Sequence, residues 1–272
     1  MSLIIPVVPD GVKLKLARAD EQVRSIVAAV QDYAATFASP ALMLDGELDG
    51  SVFTLRLPPL PPLDSNVSVD IGECLHNLRS ALDQTTYAML QANIPNISGL
   101  TPKRREEYER TSQFPITDSP TQFAGQSARR QMRGLSGEAV STIERFQPYF
   151  GGRDSVGDSL WCLRELSNTD KHRLVHPTQF ATAGAHVEMH TYPLALPHHD
   201  EWKYGVVEPE GVVVTVTFDY PPETAAVSTL GGIAMALVSG STLLGSIELV
   251  LPNLYNRTKE AVDAMALHCN AA

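Results

Sequence analysis

Arg164, Asn168 and His172 recur at steps of four, so on a helix they stack along one face over two turns. Lys171 and Arg173 flank the histidine, and Asp170 precedes them. Histidine titrates near neutral pH and carries protons in general acid and base catalysis. With cations suited to a phosphate on either side and an asparagine one turn away to position the ring, the chemistry such a group would perform is proton transfer beside a bound phosphate. The same residues also read as a basic last turn opposing the helix dipole, with Asp170 bridging to a core arginine. Spacing alone leaves both readings open.

The helix that would carry this row opens at Asp158, a plausible N-cap, and runs toward the stop at Pro177. Leu160, Leu163, Leu166 and Leu174 share its apolar side. A second helix, Val67 to Asn93, divides cleanly: Ile71, Leu75, Leu78, Leu82 and Met89 on one arc, with Glu73, His76, Arg79, Ser80, Asp83 and Tyr87 opposite. The polar side mixes both signs at three- and four-residue spacing, and such pairs stabilise an exposed helix by roughly 0.2 to 0.5 kcal/mol each. A solvated face is therefore one reading of it, and a second wall for the histidine cluster is the other.

Elsewhere Val12 to Phe37 has the period of an amphipathic helix. Leu42 to Leu57 reads as a hairpin, and the P-P-L-P-P-L run after it as a stiff connector. K-R-R-E-E-Y-E-R, from Lys103 to Arg110, is a mixed-charge loop or short helix. A short helix is expected around Thr121 to Arg133, where Arg129, Arg130 and Arg133 make the most basic surface in the chain, and another from Ser136 to Phe146. Beyond Pro177, Ala185 to Tyr192 and Gly211 to Tyr220 alternate as strands, and a helix from Asn253 to Cys269 closes the chain. His186, His190, His198, His199 and Asp200 are metal-ligand types. Four residues along a strand, however, put His186 and His190 about 13 Å apart, too far to share an ion, and no metal or other cofactor is assigned.

The 272 residues carry a formal charge of −10, which argues against overall electrostatic binding of nucleic acid while leaving room for a local basic patch. Cys74, Cys162 and Cys269 are widely spaced and read as reduced thiols, which fits a cytoplasmic protein. The amino terminus has no basic leader of the secretory kind. Leu230 to Leu251 carries only Glu248 as a charge, but four glycines and several hydroxyl residues dilute it, so one or two buried elements are expected and no membrane span.

The blocks H-N-L-R-S-A-L-D (76–83), F-P-I (114–116), Q-P-Y (147–149) and L-x-x-L-x-N-x-D-K-H-R (163–173) resemble a family of uncharacterised bacterial proteins that share them. More distantly, a polar helix ending in N-T-D-K-H is similar to the HEPN superfamily, helical domains whose nuclease members carry Arg-Asn-x-x-x-His and cleave RNA without metal at a dimer interface. Asn168 and His172 match that motif by spacing; Ser167 stands where its arginine would, with Arg164 or Arg173 as substitutes. The resemblance implies His172 as proton carrier, Asn168 and Arg164 beside it, and Lys171 and Arg173 on phosphate. It also implies assistance from a facing helix, for which Glu73 and Asp83 are the candidates.

The expected fold is α+β, a helical bundle core with a small antiparallel sheet contributed mainly by the C-terminal third. Residues 1–180 are expected to form a mainly helical domain with a hairpin near 42–57. Residues 181–272 would add strands and a closing helix packed on it as one unit. The expected function is a HEPN-like module, homodimeric, that binds RNA or a nucleotide, with metal-independent endoribonuclease activity left open. Its ligand contacts would come from Lys171, Arg173, Asp170, Arg79, Asp83, His76 and Glu73. The competing expectation is a non-catalytic interaction or structural protein in which the 170–173 cluster ties helices together.

Overall fold

The computed structural model describes residues 7–35, 45–56, 63–150, 158–171, 175, 177–181, 186–192, 197–202, 205–206, 211–230, 233–240 and 242–269. The class is α+β, with eight α-helices among the described residues and antiparallel strands drawn mostly from the C-terminal part. Two compact units divide it, and both are discontinuous in sequence: residues 1–26, 68–175 and 249–272 form a helical unit, and residues 27–67 and 176–248 a strand-rich one. A boundary near residue 180 is thus replaced by a nested arrangement. The closing helix belongs with the helical unit, and the early hairpin belongs with the strands because its second strand pairs with a late one.

The helical unit is built on α1 (Asp10–Ala35, as far as residue 26), α2 (Ser65–Asn93, from residue 68), α3 (Pro102–Thr111), α4 (Pro120–Phe123), α5 (Gln126–Gln131), α6 (Gly137–Arg145), α7 (Ser159–Asp170) and α8 (Ile247–Ala266, from residue 249). The division of α2 is the one its periodicity predicts: Ile71, Leu75, Leu78, Leu82 and Met89 are buried, Glu73, His76 and Tyr87 exposed, and Arg79, Ser80 and Asp83 in between. Cys74, Ala81, Thr85 and Leu90 widen the buried arc, as suits a helix packed on more than one side. Polar links join α1 to α2: Lys15 Nζ donates to Asn77 Oδ1, Asn77 Nδ2 to Gln22 Oε1, and Gln22 Nε2 to Glu73 Oε2, all at 2.9 to 3.0 Å. The expected helix over 121–133 is two pieces broken at Gly125, with Ser119 capping the first through the N–H of Gln122. Ser136 and Asp158 cap α6 and α7 in the same manner. Helix α8 starts six residues before the sequence suggests and carries Pro252 inside it; Ile247, Val250, Leu251 and Leu254 are buried, so the apolar face extends ahead of a residue that ordinarily marks a boundary.

The strand-rich unit holds β1 (Asp45–Asp49), β2 (Val52–Arg56), β3 (Thr178–Ala181), β4 (His186–Tyr192), β5 (Pro197–Trp202), β6 (Gly205–Val206), β7 (Val212–Phe218), β8 (Thr224–Leu230), β9 (Ile233–Ser239) and β10 (Thr242–Ser246). They form two four-stranded sheets, β1-β2-β7-β5 and β10-β9-β3-β6, and the pair β4-β8. Alternation fixes the register: Phe53 faces Val216 and Leu55 faces Val214, all four buried. The stretch 230–251, with Glu248 its one charge, holds the β9–β10 hairpin, with Gly240 at φ of 60° closing β9, followed by the start of α8. Among the described residues no helix is long and apolar enough to cross a membrane. The proline-rich connector at 58–62 lies outside the described residues.

Candidate functional site

Phe114-Pro115-Ile116-Thr117 belongs to no helix or strand and is largely buried in the helical unit, and such a segment must satisfy its backbone with side chains. Asp83 Oδ1 accepts the Phe114 N–H at 2.9 Å, and Arg79 donates to the Phe114 carbonyl at 2.5 Å. Gln147, itself buried, accepts from the Thr117 N–H at 2.9 Å and donates to the Pro115 carbonyl at 2.9 Å. Arg164 reaches the Ile116 carbonyl at 3.4 Å. Three of the blocks that carry the sequence resemblance therefore meet on the fourth, with F-P-I-T as the segment they hold.

Beside this segment α2 and α7 enclose an open cleft of about 790 Å³, lined also by α5. His76, Arg79, Ser80 and Asp83 contribute from α2, and Arg164, Ser167, Asn168 and Lys171 from the α7 end. Gln113, Gln122, Gln126 and Gln131 add neutral donors and acceptors on the α5 side. A volume of this size fits a ligand of mononucleotide scale. The lining combines three cations with one carboxylate, the opposite of the chain's overall balance.

The three cations differ. Arg79 pairs with Asp83 at 3.2 Å while both hold Phe114. Arg164 lies 2.9 Å from Asp118 and 2.9 Å from Glu165; the first is a contact of opposite charges rather than an aligned hydrogen bond. Burial works against the Arg164 charge, but Asp118 and Glu165 outweigh it and its pKa rises. The core arginine is thus bridged by these two acids and not by Asp170. Lys171, by contrast, is exposed at the C-cap of α7, touches only Asn168 Oδ1 at 3.5 Å, and has no carboxylate partner among the described residues. The charge of Lys171 also reaches Asp83, whose pKa is nevertheless raised because desolvation outweighs Arg79, the Phe114 N–H and Lys171 together. Ser167 Oγ is buried and has no hydrogen-bond partner among the described residues.

A smaller recess of about 420 Å³ lies on the other side of His76, lined by Gly72, Glu73, Asn77 and Asp170. The Asp170 carboxylate packs over Gly72, where any side chain would displace it. Glu73 and Asp170 therefore face this recess and not the larger cleft, and Glu73 is held by Gln22. His172 and Arg173 lie outside the described residues, as does the side-chain placement of His186, His190, His199 and Asp200. Among the described residues no group of three or more His, Cys, Asp or Glu side chains could hold a metal ion. Cys74, Cys162 and Cys269 are free thiols, pushed by burial to about 12, about 11 and about 11, which leaves them protonated and unreactive at neutral pH.

The glutamines of the 113–131 region went unnoticed in the sequence, and Ser167 was noted only as standing where the motif's arginine would. Serine and glutamine carry no signature of their own, and only the long-range placement of α5 against α2 and α7 turns them toward one space. Compared with known proteins, the chain matches no family model, no curated protein and no solved structure.

Proposed function

We propose that the helical unit is a binding module for a phosphate-bearing ligand, RNA or a nucleotide, seated in the cleft between α2 and α7. The observation that carries this reading is Lys171 beside Asn168, without a carboxylate partner among the described residues, together with the buried Ser167 hydroxyl, likewise without a partner among them, and exposed His76, all lining one cleft of nucleotide size. A cation with free donors and neighbouring amides is what a phosphate and a base edge require. HEPN-like cleavage is the catalytic extension of the same proposal. There the ribose 2′-hydroxyl, giving up its proton, attacks the adjacent phosphorus as the bond to the 5′-oxygen of the next nucleotide breaks, which leaves a 2′,3′-cyclic phosphate and a 5′-hydroxyl that takes up a proton; His172 moves the proton, Asn168 positions it, and Lys171 and Arg173 stabilise the charge on phosphate, with no metal. Homodimerisation and a reducing, cytoplasmic setting belong to this proposal too.

A second reading is favoured by a specific observation: Arg79, Asp83 and Arg164 are engaged with the 114–117 backbone. In that reading the cluster ties helices together and the protein acts through its surface. Incubation with single-stranded RNA and matched DNA, with chelator, separates the two. The proposal predicts that wild type retains RNA and, if catalytic, cleaves RNA but not DNA, with cleavage lost in His172→Ala. RNA that neither binds nor breaks leaves the non-catalytic reading.

A further inference from the structure

Seven of the chain's 21 Lys and Arg residues fall between residues 102 and 133, against only four of its 31 acids, so this stretch is positive within a chain of net −10. The structure sorts its pairs. Arg133, part of the basic surface suggested by sequence, is neutralised by Glu107 at 2.6 Å, and Arg105 by Glu109 at 2.9 Å. Arg110, Arg129 and Arg130 are exposed and have no acid partner among the described residues. They are also brought together across nearly twenty residues of chain: the Thr111 hydroxyl donates to the Arg130 carbonyl at 3.1 Å, and the Gln113 N–H to the Gln131 carbonyl at 3.2 Å, so the end of α3 lies against the end of α5. Helix α3 buries no residue. Three like charges gathered on a surface repel one another, and placement at two helix C-termini offsets that only in part.

The short helix α5 has two sides. Gln126, Ser127 and Gln131 line the cleft, while Arg129 and Arg130 project outside it. We infer that the outer edge of α5 and the end of α3 form a phosphate track, Arg110–Arg129–Arg130, that receives a single-stranded nucleic acid as it leaves the cleft. The inference rests on the nucleotide-binding reading for its starting point, but it concerns a separate surface. A cleft of about 790 Å³ holds a ligand of mononucleotide size, so any longer strand must exit across one of its walls, and directly outside the α5 wall lie three exposed arginines with no acid partner among the described residues. Contacts of this kind neutralise phosphates and read no bases, so the track accepts RNA and DNA strands alike, whatever the cleft selects.

The test measures affinity for a ribonucleoside monophosphate and for single-stranded RNA and DNA 12-mers across a salt series, using wild type, the triple variant Arg110→Ala/Arg129→Ala/Arg130→Ala, and Lys171→Ala. Each single-strand phosphate contact contributes about 0.7 to the slope of log K against log salt, so the triple variant should lower the 12-mer slope by about 2 and leave monophosphate affinity unchanged. Because the three arginines are exposed and unpaired, the variant should fold as wild type does, checked by its melting curve. An unchanged 12-mer slope overturns the track, even if the monophosphate binds. Failure of the monophosphate to bind, with the 12-mer slope still falling by about 2 in the triple variant, overturns the cleft reading and leaves the track standing as a surface site.

Discussion

The two flanks of the α2–α7 cleft are made from the same kinds of residue and are used in different ways. On the Phe114 side, Arg79, Asp83, Gln147 and Arg164 are turned onto backbone groups of 114–117 or onto one another. On the other side, His76, Asn168 and Lys171 face open space with one weak contact between Lys171 and Asn168, and the Ser167 hydroxyl is buried beside them with no partner among the described residues. Density of polar residues is thus a poor guide to a site by itself. What separates the flanks is whether a buried backbone group demands the side chain.

The sharpest way to break this comparison is at Gln147. Its amide serves Thr117 and Pro115 at once and the residue is 1% exposed, so Gln147→Ala strands a buried carbonyl and a half-buried N–H. Urea denaturation should show a loss of about 3 kcal/mol, at the upper end for a side-chain truncation that leaves polar groups unpaired. A loss below about 1 kcal/mol would mean that the 114–117 segment is not held as described.

Asp83 offers a smaller effect with a defined sign. A carboxyl whose pKa rises on folding from its ordinary value of 3.8 holds its proton more tightly folded than unfolded, so stability falls as pH climbs from 3.8 through the folded value. Asp83→Asn keeps an acceptor for the Phe114 N–H and cannot ionise. Between about pH 4 and 7 it should therefore lose less stability than wild type, whereas parallel curves would show that burial does not govern this group. Asp83→Ala, which leaves the Phe114 N–H and Arg79 without their acceptor, should cost about 1 to 3 kcal/mol at any pH in that range.

Much of this was legible in sequence and some was not, for identifiable reasons. The two faces of α2, the caps at Ser136 and Asp158, and the alternation of β2 and β7 are local patterns, and the structure keeps them. The division into units was not legible, because it depends on β2 pairing with β7 across some 160 residues, a contact no local pattern encodes. Arg79, Asp83 and Arg164 looked like site residues because spacing on a helix reports which face a side chain is on, but not what lies opposite. The F-P-I segment opposite them was visible only as a short shared block. Lys171 and Asn168 were picked out by the same spacing and do line the cleft, while the glutamines emerged only from three-dimensional placement.

The central claim is that the Lys171 flank binds a phosphate-bearing ligand while the Phe114 flank holds the fold, and the most direct test is calorimetric titration of a ribonucleoside monophosphate into wild type and Lys171→Ala, with the melting temperature of each. Lys171 is exposed and unpaired, so its truncation should change stability by no more than about 0.5 kcal/mol. The account predicts that binding to wild type is measurable and falls at least tenfold in Lys171→Ala at an unchanged melting temperature. Equal affinity in the two proteins, or a Lys171→Ala protein that melts well below wild type, would contradict it.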